Sequence, residues 1–295
     1  MKTYILMLLA TACAGIADAQ SNTLSLSQRG NDNQAPVTQK GNANTGSIAV
    51  TGDENQIYFG QYGNSNKGTL SITGHGNKGT IQANGDENEF KITQIGSNNT
   101  GSATSSLGYG NQLSVDQIGD NNAVAASSLR GNRNQFSVAQ TGNDNAASAS
   151  SFRGNDNQFS IAQTGDNNAA VASASWGGDN QLSVAQTGNN NRSSVRIGSF
   201  FSNSGDVDNQ VNITQRGNTN EARSYQQGSF NTATVLQEGN GNALMGLESI
   251  VLSDHATKCG NGNSLNLTQT GDGHILQFGQ SGNNNTATIT QGPLN

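Results

Sequence analysis

Asparagine recurs along this 295-residue chain at a spacing that leaves few folds open. It stands at 22, 33, 44, 55, 66, 77, 88 and 99, each eleven residues after the last. Steps of twelve and eleven then alternate through 111, 122, 134, 145, 157, 168, 180 and 191. The register resumes at 209, 220, 231 and 242 and again at 263 and 285, with His274 between those two. Glycine lies three residues before 21 of the 22 register positions after Asn22, Asp206 being the exception, and glutamine lies six residues after the register residue in 14 of the 23 arms. A fixed period of this length marks repeats that bury their apolar face only against their neighbours. It predicts an all-β, two-sheet β-solenoid, strand–turn–strand in each turn of 22–23 residues, with about eleven turns.

One arm shows the physics. In NQFSVAQTGNDN, residues 134–145, Phe136 and Val138 alternate with Ser137 and Ala139, the period-2 pattern of a strand with one buried face. Asn134 and Gln140 share that face, and Gly142 opens a turn that reverses the chain. In the following arm Ala147 and Ala149 point inward, so bulky arms oppose small ones. Stacking stretch 111–191 at its 23-residue repeat predicts apolar columns, Leu113, Phe136, Phe159 and Leu182 in one and Val115, Val138, Ile161 and Val184 in the next. Gly119, Gly142, Gly165 and Gly188 are the turn glycines. Three amide columns accompany them: Gln117, Gln140, Gln163 and Gln186; Asn111, Asn134, Asn157 and Asn180; Asn122, Asn145, Asn168 and Asn191. A lone buried amide is costly, but identical amides about 4.8 Å apart bond each to the next. A disordered Gln/Asn-rich tract would not hold this register with Phe, Val and Ile.

Residues 1–19 read as a secretory signal peptide, with Lys2, an apolar run from Tyr4 to Cys13 and a small-x-small site at Ala17–Ala19, leaving one solenoid over 20–295. Net charge is −6 with 12% charged residues, which points away from nucleic acid and anionic membranes. Cys259, beyond the signal peptide, has no second cysteine to pair with in the same chain and reads as an incidental thiol in a loop. Proline occurs only at 36 and 293, as expected if every arm between pairs above and below. Gly46, Gly68, Gly79 and Gly101 occupy inward positions that later arms fill with larger residues, which predicts a less firmly ordered amino-terminal end. Two insertions, near 192–208 and 243–262, add seven and ten residues and are expected to bulge from turns, the second carrying the apolar run 247–252.

The frame Asn-x5-Gln-x4-Asn-x5-Gln, as in Asn22, Gln28, Asn33, Gln39 and again in Asn209, Gln215, Asn220, Gln226, resembles the curlin repeat of bacterial curli fibre subunits. The resemblance spans nearly the whole chain after the signal peptide. It implies a secreted functional amyloid of the biofilm matrix of a Gram-negative-type bacterium, cross-β when polymerised, served by a nucleator subunit and an outer-membrane export pore. Two departures stand out: roughly twice the repeats of the familiar major subunit, and almost nothing between the signal peptide and Asn22, where curli subunits carry an export-targeting stretch.

No constellation for catalysis emerges. His75, His255 and His274 lack metal-ligand spacing, and Asp86, Glu87, Asp120, Asp144, Asp156, Asp166 and Asp179 recur at turns without the calcium-solenoid frame. They are expected to act as charged gatekeepers on the stack edge. The outer positions Gln135, Ser137, Ala139, Gln158, Ser160 and Ala162 offer no acid–base pair. The expectation is a non-enzymatic, cofactor-free structural protein that polymerises end to end, binding neither nucleic acid nor metal and not inserting into a membrane. Two alternatives share the fold: a monomeric solenoid binding a flat surface such as ice, and a fibre nucleator or adhesin.

Overall fold

A computed structural model describes residues 21–198, 206–246 and 256–292; the expected signal peptide and the apolar run 247–252 lie outside them. Among the described residues there is no helix. Successive arms alternate between two parallel sheets that face each other, the arm beginning at Asn22 opening one sheet and that at Asn33 the other. The stack is the β-solenoid of about eleven turns that the period requires.

Register is what makes it a stack of columns. Gln135, Phe136, Val138 and Gln140 pair with Gln158, Phe159, Ile161 and Gln163, and those with Gln181, Leu182, Val184 and Gln186. Inward and outward residues alternate strictly in these strands, and Leu113, Val115, Phe136, Val138, Phe159, Ile161, Leu182 and Val184 are each at most 3% exposed. Phe136 and Phe159 stack with ring centroids 4.6 Å apart and planes parallel to within 1°. Opposite them lie the small inward residues Ala147, Ala149, Ala170 and Ala172, all buried.

The twelve-residue steps have a local cause. Leu107, Arg130, Arg153 and Trp176 are extra residues at the returns from the second sheet to the first, in left-handed conformation with φ of 58°, 57°, 56° and 52°. The glycines that follow the first three, Gly108, Gly131 and Gly154, are consequently relieved of positive φ. Glycine is still required there, since an added Cβ would lie 2.1–2.4 Å from a carbonyl of the stacked turn.

The amino-terminal glycines leave no void, because large residues of the facing sheet fill the space. A Cβ on Gly68 would lie 2.4 Å from Phe59 Cζ, and one on Gly79 would lie 2.8 Å from Leu70 Cδ1. Phe59, Leu70 and Ile81 are fully buried, so the packing that glycine omits is supplied from across the core. The expectation that needs correction concerns the second insertion, which does not bulge from a turn. Ala243–Gly246 pairs with the first half of the strand Glu221–Gln227, and Ala256–Cys259 pairs with its second half. The insertion thus leaves from the middle of a single arm, and Cys259 ends a strand rather than sitting in a loop. The first insertion does fall at a turn: Asp206 takes the glycine position, its N–H bonding Trp176 O at 3.2 Å.

This facing makes two adjacent substitutions unequal. Val138→Asp, at a site 1% exposed, should lower unfolding free energy by at least about 3 kcal/mol, whereas Ala139→Asp on the exposed face should cost under about 0.5 kcal/mol. Denaturant titration of the two variants measures the difference, and equal midpoints would reverse the assignment of faces.

Candidate functional site: amide ladders and the open ends of the stack

The amide columns are continuous ladders. Gln117 Nε2 donates to Gln140 Oε1 at 3.0 Å, Gln140 to Gln163 at 2.8 Å and Gln163 to Gln186 at 2.8 Å. The column extends beyond those four, with Gln94 before them and Gln215, Gln237, Gln269 and Gln291 after, joined at 2.7–2.8 Å. It crosses both insertions without a break, because the turns close over them in register. Each glutamine also reaches a backbone carbonyl of an earlier arm in the facing sheet, as Gln140 Nε2 does to Ala123 O at 3.2 Å, so the ladder ties the sheets together. From glutamine to glutamine every donation runs toward the carboxyl-terminal end. The ladder stops where a neighbour is apolar: Ile72 lies below Gln94, whose Oε1 is buried without a partner, and Val50 follows Gln28, whose Nε2 is likewise buried alone.

The asparagines run the other way. Asn134 gives both its backbone N–H and its Nδ2 to Asn111 Oδ1, at 3.0 and 3.2 Å, and its second Nδ2 hydrogen to Gly154 O at 2.8 Å. Asn157 repeats this on Asn134, and Asn180 on Asn157. In the facing sheet Asn145 does so on Asn122, Asn168 on Asn145 and Asn191 on Asn168. All twelve central amides are at most 1% exposed, and each is bonded to the same residue type on a neighbouring turn as well as to nearby backbone or hydroxyl groups. The turn glycines hold the ladder's shape. Gly119, Gly142, Gly165 and Gly188 have φ of 116°, 115°, 106° and 109°, and a Cβ on Gly142 would lie 2.2 Å from Gly165 O.

A third ladder on the turn surface accounts for part of the acidic recurrence. Asp120 Oδ1 accepts Ser97 N–H at 2.7 Å, Asn143 Oδ1 accepts Asp120 N–H at 2.9 Å, and Asp166 Oδ1 accepts Asn143 N–H at 2.8 Å. Asp and Asn can alternate at 120, 143 and 166 because the bonds between these turns use the Oδ1 that both residues offer. The other acids, Glu87, Asp144, Asp156 and Asp179, sit one residue before the register asparagine with φ of 56–57°. The hydrogen bonds from Arg133 of the preceding turn, whose Nε and a terminal nitrogen each lie 2.7 Å away, lower the pKa of the Asp156 carboxyl. Lys91 bonds Asp116 at 3.1 Å and Arg216 bonds Glu238 at 2.6 Å, again between turns. Such exposed pairs contribute roughly 0.2–1 kcal/mol each.

Of the remaining groups, burial pushes the Tyr225 hydroxyl up to about 12 and raises the Cys259 thiol, which disfavours a reactive thiolate. His274 keeps the register, its N–H bonding Asn242 Oδ1 at 3.0 Å and its ring Nε2 contacting Thr270 O at 2.9 Å. Among the described residues no group of three or more His, Cys, Asp or Glu is placed to hold a metal ion. Sequence reasoning missed an outer cluster at the extra turn residues. Arg153 lies over the rings of Phe152 and Trp176, with Cζ at 5.1 and 4.4 Å from their centroids. The twelve-residue steps were its only sequence signal.

At the two ends the columns stand open. Inward residues that are buried everywhere else are only half-buried in Leu24, Leu26, Ala35 and Val37 at one end and in Leu276, Ala287 and Ile289 at the other. Thr23 N–H bonds Asn44 O, so Leu24, Leu26 and Gln28 direct their backbone groups away from the stack. Asn285 O accepts Ser264 N–H, which leaves Thr286, Thr288 and Thr290 directed outward at the far end. Among the described residues nothing covers either edge.

A family model described as the curlin associated repeat matches residues 19–49, 30–63 and 208–239. All three stretches lie where register asparagines are eleven apart. None of the curated proteins compared matches the chain.

Two amide substitutions separate ladder from surface. Gln140→Ala leaves Gln117 Nε2 and Gln163 Oε1 each short of a buried partner and should cost about 2–4 kcal/mol, whereas Gln135→Ala on the exposed face should cost under about 0.5 kcal/mol. On the turn, Asp120→Asn should be nearly silent and Asp120→Ala should cost about 1 kcal/mol, since only the Oδ1 acceptor matters. Denaturation midpoints of the four variants check both statements.

Proposed function

We propose that this chain, which carries curlin associated repeats, is a curli-type structural subunit that self-assembles end to end into a cross-β fibre at the bacterial cell surface. The observation that carries the reading is the pair of open ends: half-buried core columns and outward-directed backbone groups at both edges of an otherwise closed stack. An uncovered strand edge of this kind recruits another strand. Growth is then templating, in which each arriving copy extends the same columns. With 23 arms at about 2.4 Å each, half the spacing of neighbouring strands, one copy adds roughly 55 Å of fibre.

Residues 1–19 serve in this reading as the secretory signal peptide, and the fibre belongs to the extracellular matrix, where it supports adhesion. A nucleator subunit and an outer-membrane export pore are its partners. The chemistry is structural rather than catalytic. The central buried amides are bonded within the ladders, and the outer positions of the arms that begin at Asn134 and Asn157 carry Gln, Ser and Ala.

Residues 20–295 diluted from denaturant should form unbranched fibres visible by electron microscopy, bind thioflavin T, and diffract near 4.7–4.8 Å and about 10 Å. A persistently monodisperse, folded monomer would contradict the fibre reading and favour a solenoid that acts alone on a flat surface.

A further inference from the structure

Among the described residues the stack has an odd number of arms. The first sheet holds twelve, from Thr23–Arg29 to Thr286–Gln291. The second holds eleven, because Ala243–Gly246 and Ala256–Cys259 are two halves of one arm. It ends on Ile275–Ser281. The carboxyl-terminal end is therefore a step: the last arm stands half a turn above the facing sheet. The next position along the solenoid path belongs to the second sheet, whereas a newly arriving copy begins with an arm of its first sheet.

We propose that successive copies are rotated by half a turn about the fibre axis, so that the first sheet of one copy continues the second sheet of the copy before it. This deepens the end-to-end assembly proposed above and rests on it. Under this rotation Thr23–Arg29 of the next copy lands on Ile275–Ser281, and the arm after it lands on Thr286–Gln291. Every column then continues. Leu24 and Leu26 meet Leu276 and Phe278, inward residue on inward residue. In the first sheet the glutamine ladder donates forward from Gln94 to Gln291, so the rotation sets Gln291 Nε2 toward Gln39 of the next copy, and it brings Gln280, whose Nε2 bonds Ser264 O within its own copy, beside that copy's Gln28.

The backbone agrees. At the amino-terminal edge the free groups belong to inward residues, and at the carboxyl-terminal edge to outward ones, the same pairing used between all turns inside the stack. Pro36, which lacks an N–H, does not interrupt this junction. Its carbonyl accepts Phe59 N–H at 3.1 Å, so its backbone faces the interior of its own copy.

Docking without rotation sets the first arm on Thr286–Gln291 instead and leaves one arm position empty in the second sheet. The outward backbone groups of Ile275, Gln277 and Gly279 would be enclosed without partners. Leu276 and Phe278 would face a void. The half-turn rotation removes both penalties with no new contact type.

Disulfide capture distinguishes the two junctions. In-register parallel neighbours bring Cα atoms to about 4.8 Å, within the range a disulfide spans. Ser25, Gln277 and Thr288 are all exposed outward positions. In residues 20–295 carrying Cys259→Ser, the rotated junction places residue 25 beside 277 of the preceding copy, and the unrotated one places it beside 288. Fibres of Ser25→Cys/Gln277→Cys and of Ser25→Cys/Thr288→Cys are grown under reductant, then oxidised and resolved on a non-reducing gel. A ladder of covalent multimers from the first variant and monomer from the second is the expected result. The reverse pattern, or fibres in which neither variant cross-links, overturns the rotated junction while leaving self-assembly standing. Failure of the unsubstituted chain to form fibres at all overturns the assembly reading, and the junction with it.

Discussion

Hydrogen bonding between identical amides on successive turns is the constraint on which the rest of this structure depends. A buried glutamine or asparagine cannot be satisfied by apolar neighbours, and leaving it unpaired costs about 1–3 kcal/mol per group. Here Gln140 bonds Gln117 on one side and Gln163 on the other, and Asn134 is joined to Asn111 and Asn157 in the same way. Any slip of one residue along a strand would expose the whole amide set and bury Ser and Thr in its place. The ladders therefore select register as well as stabilising it. The two insertions show how strong that selection is, since the glutamine column passes through both intact.

The same requirement shapes the turns. Identical turns stacked carbonyl over Cα leave no room for a Cβ at Gly142 or Gly165. Glycine is demanded there by the neighbour above as much as by φ, which is why Gly131 and Gly154 stay glycine although their φ is ordinary. The core follows a looser rule. It needs only that large and small residues face each other, so Phe59 fills the space above Gly68 while Phe136 and Phe159 stack opposite alanines. The end-to-end proposal extends this logic past the chain termini. A stack that satisfies each turn by the next leaves its last turns unsatisfied.

Much of this was legible in the sequence because period and alternation act on every residue at once. Asn134, Phe136, Val138 and Gln140 could be placed on one inward face from a single arm, and the columns followed from the 23-residue repeat. What escaped depends on information the spacing does not carry. Counting residues between Asn242 and Asn263 gives the size of an insertion but not its exit point. The split strand pairing of Ala243–Gly246 and Ala256–Cys259 fixes that point in mid-arm. The space at Gly68 is filled by Phe59, which comes from the facing sheet rather than from its own column. Asp120 and Asp166 looked like charges, whereas the bonds between turns use the Oδ1 that asparagine also offers.

The most direct measurement of the central claim is side-chain amide hydrogen exchange. Specific labelling allows the carboxamide protons of Gln140, Gln163 and Asn134 to be followed by NMR beside those of Gln135 and Gln158 on the outer face. Buried ladder amides bonded turn to turn should exchange on the slow timescale of the strand backbone, and the outer amides at the rate of free glutamine. If Gln140 and Gln163 exchange as fast as Gln135, the ladders do not hold the stack together, and register must be explained by apolar packing alone.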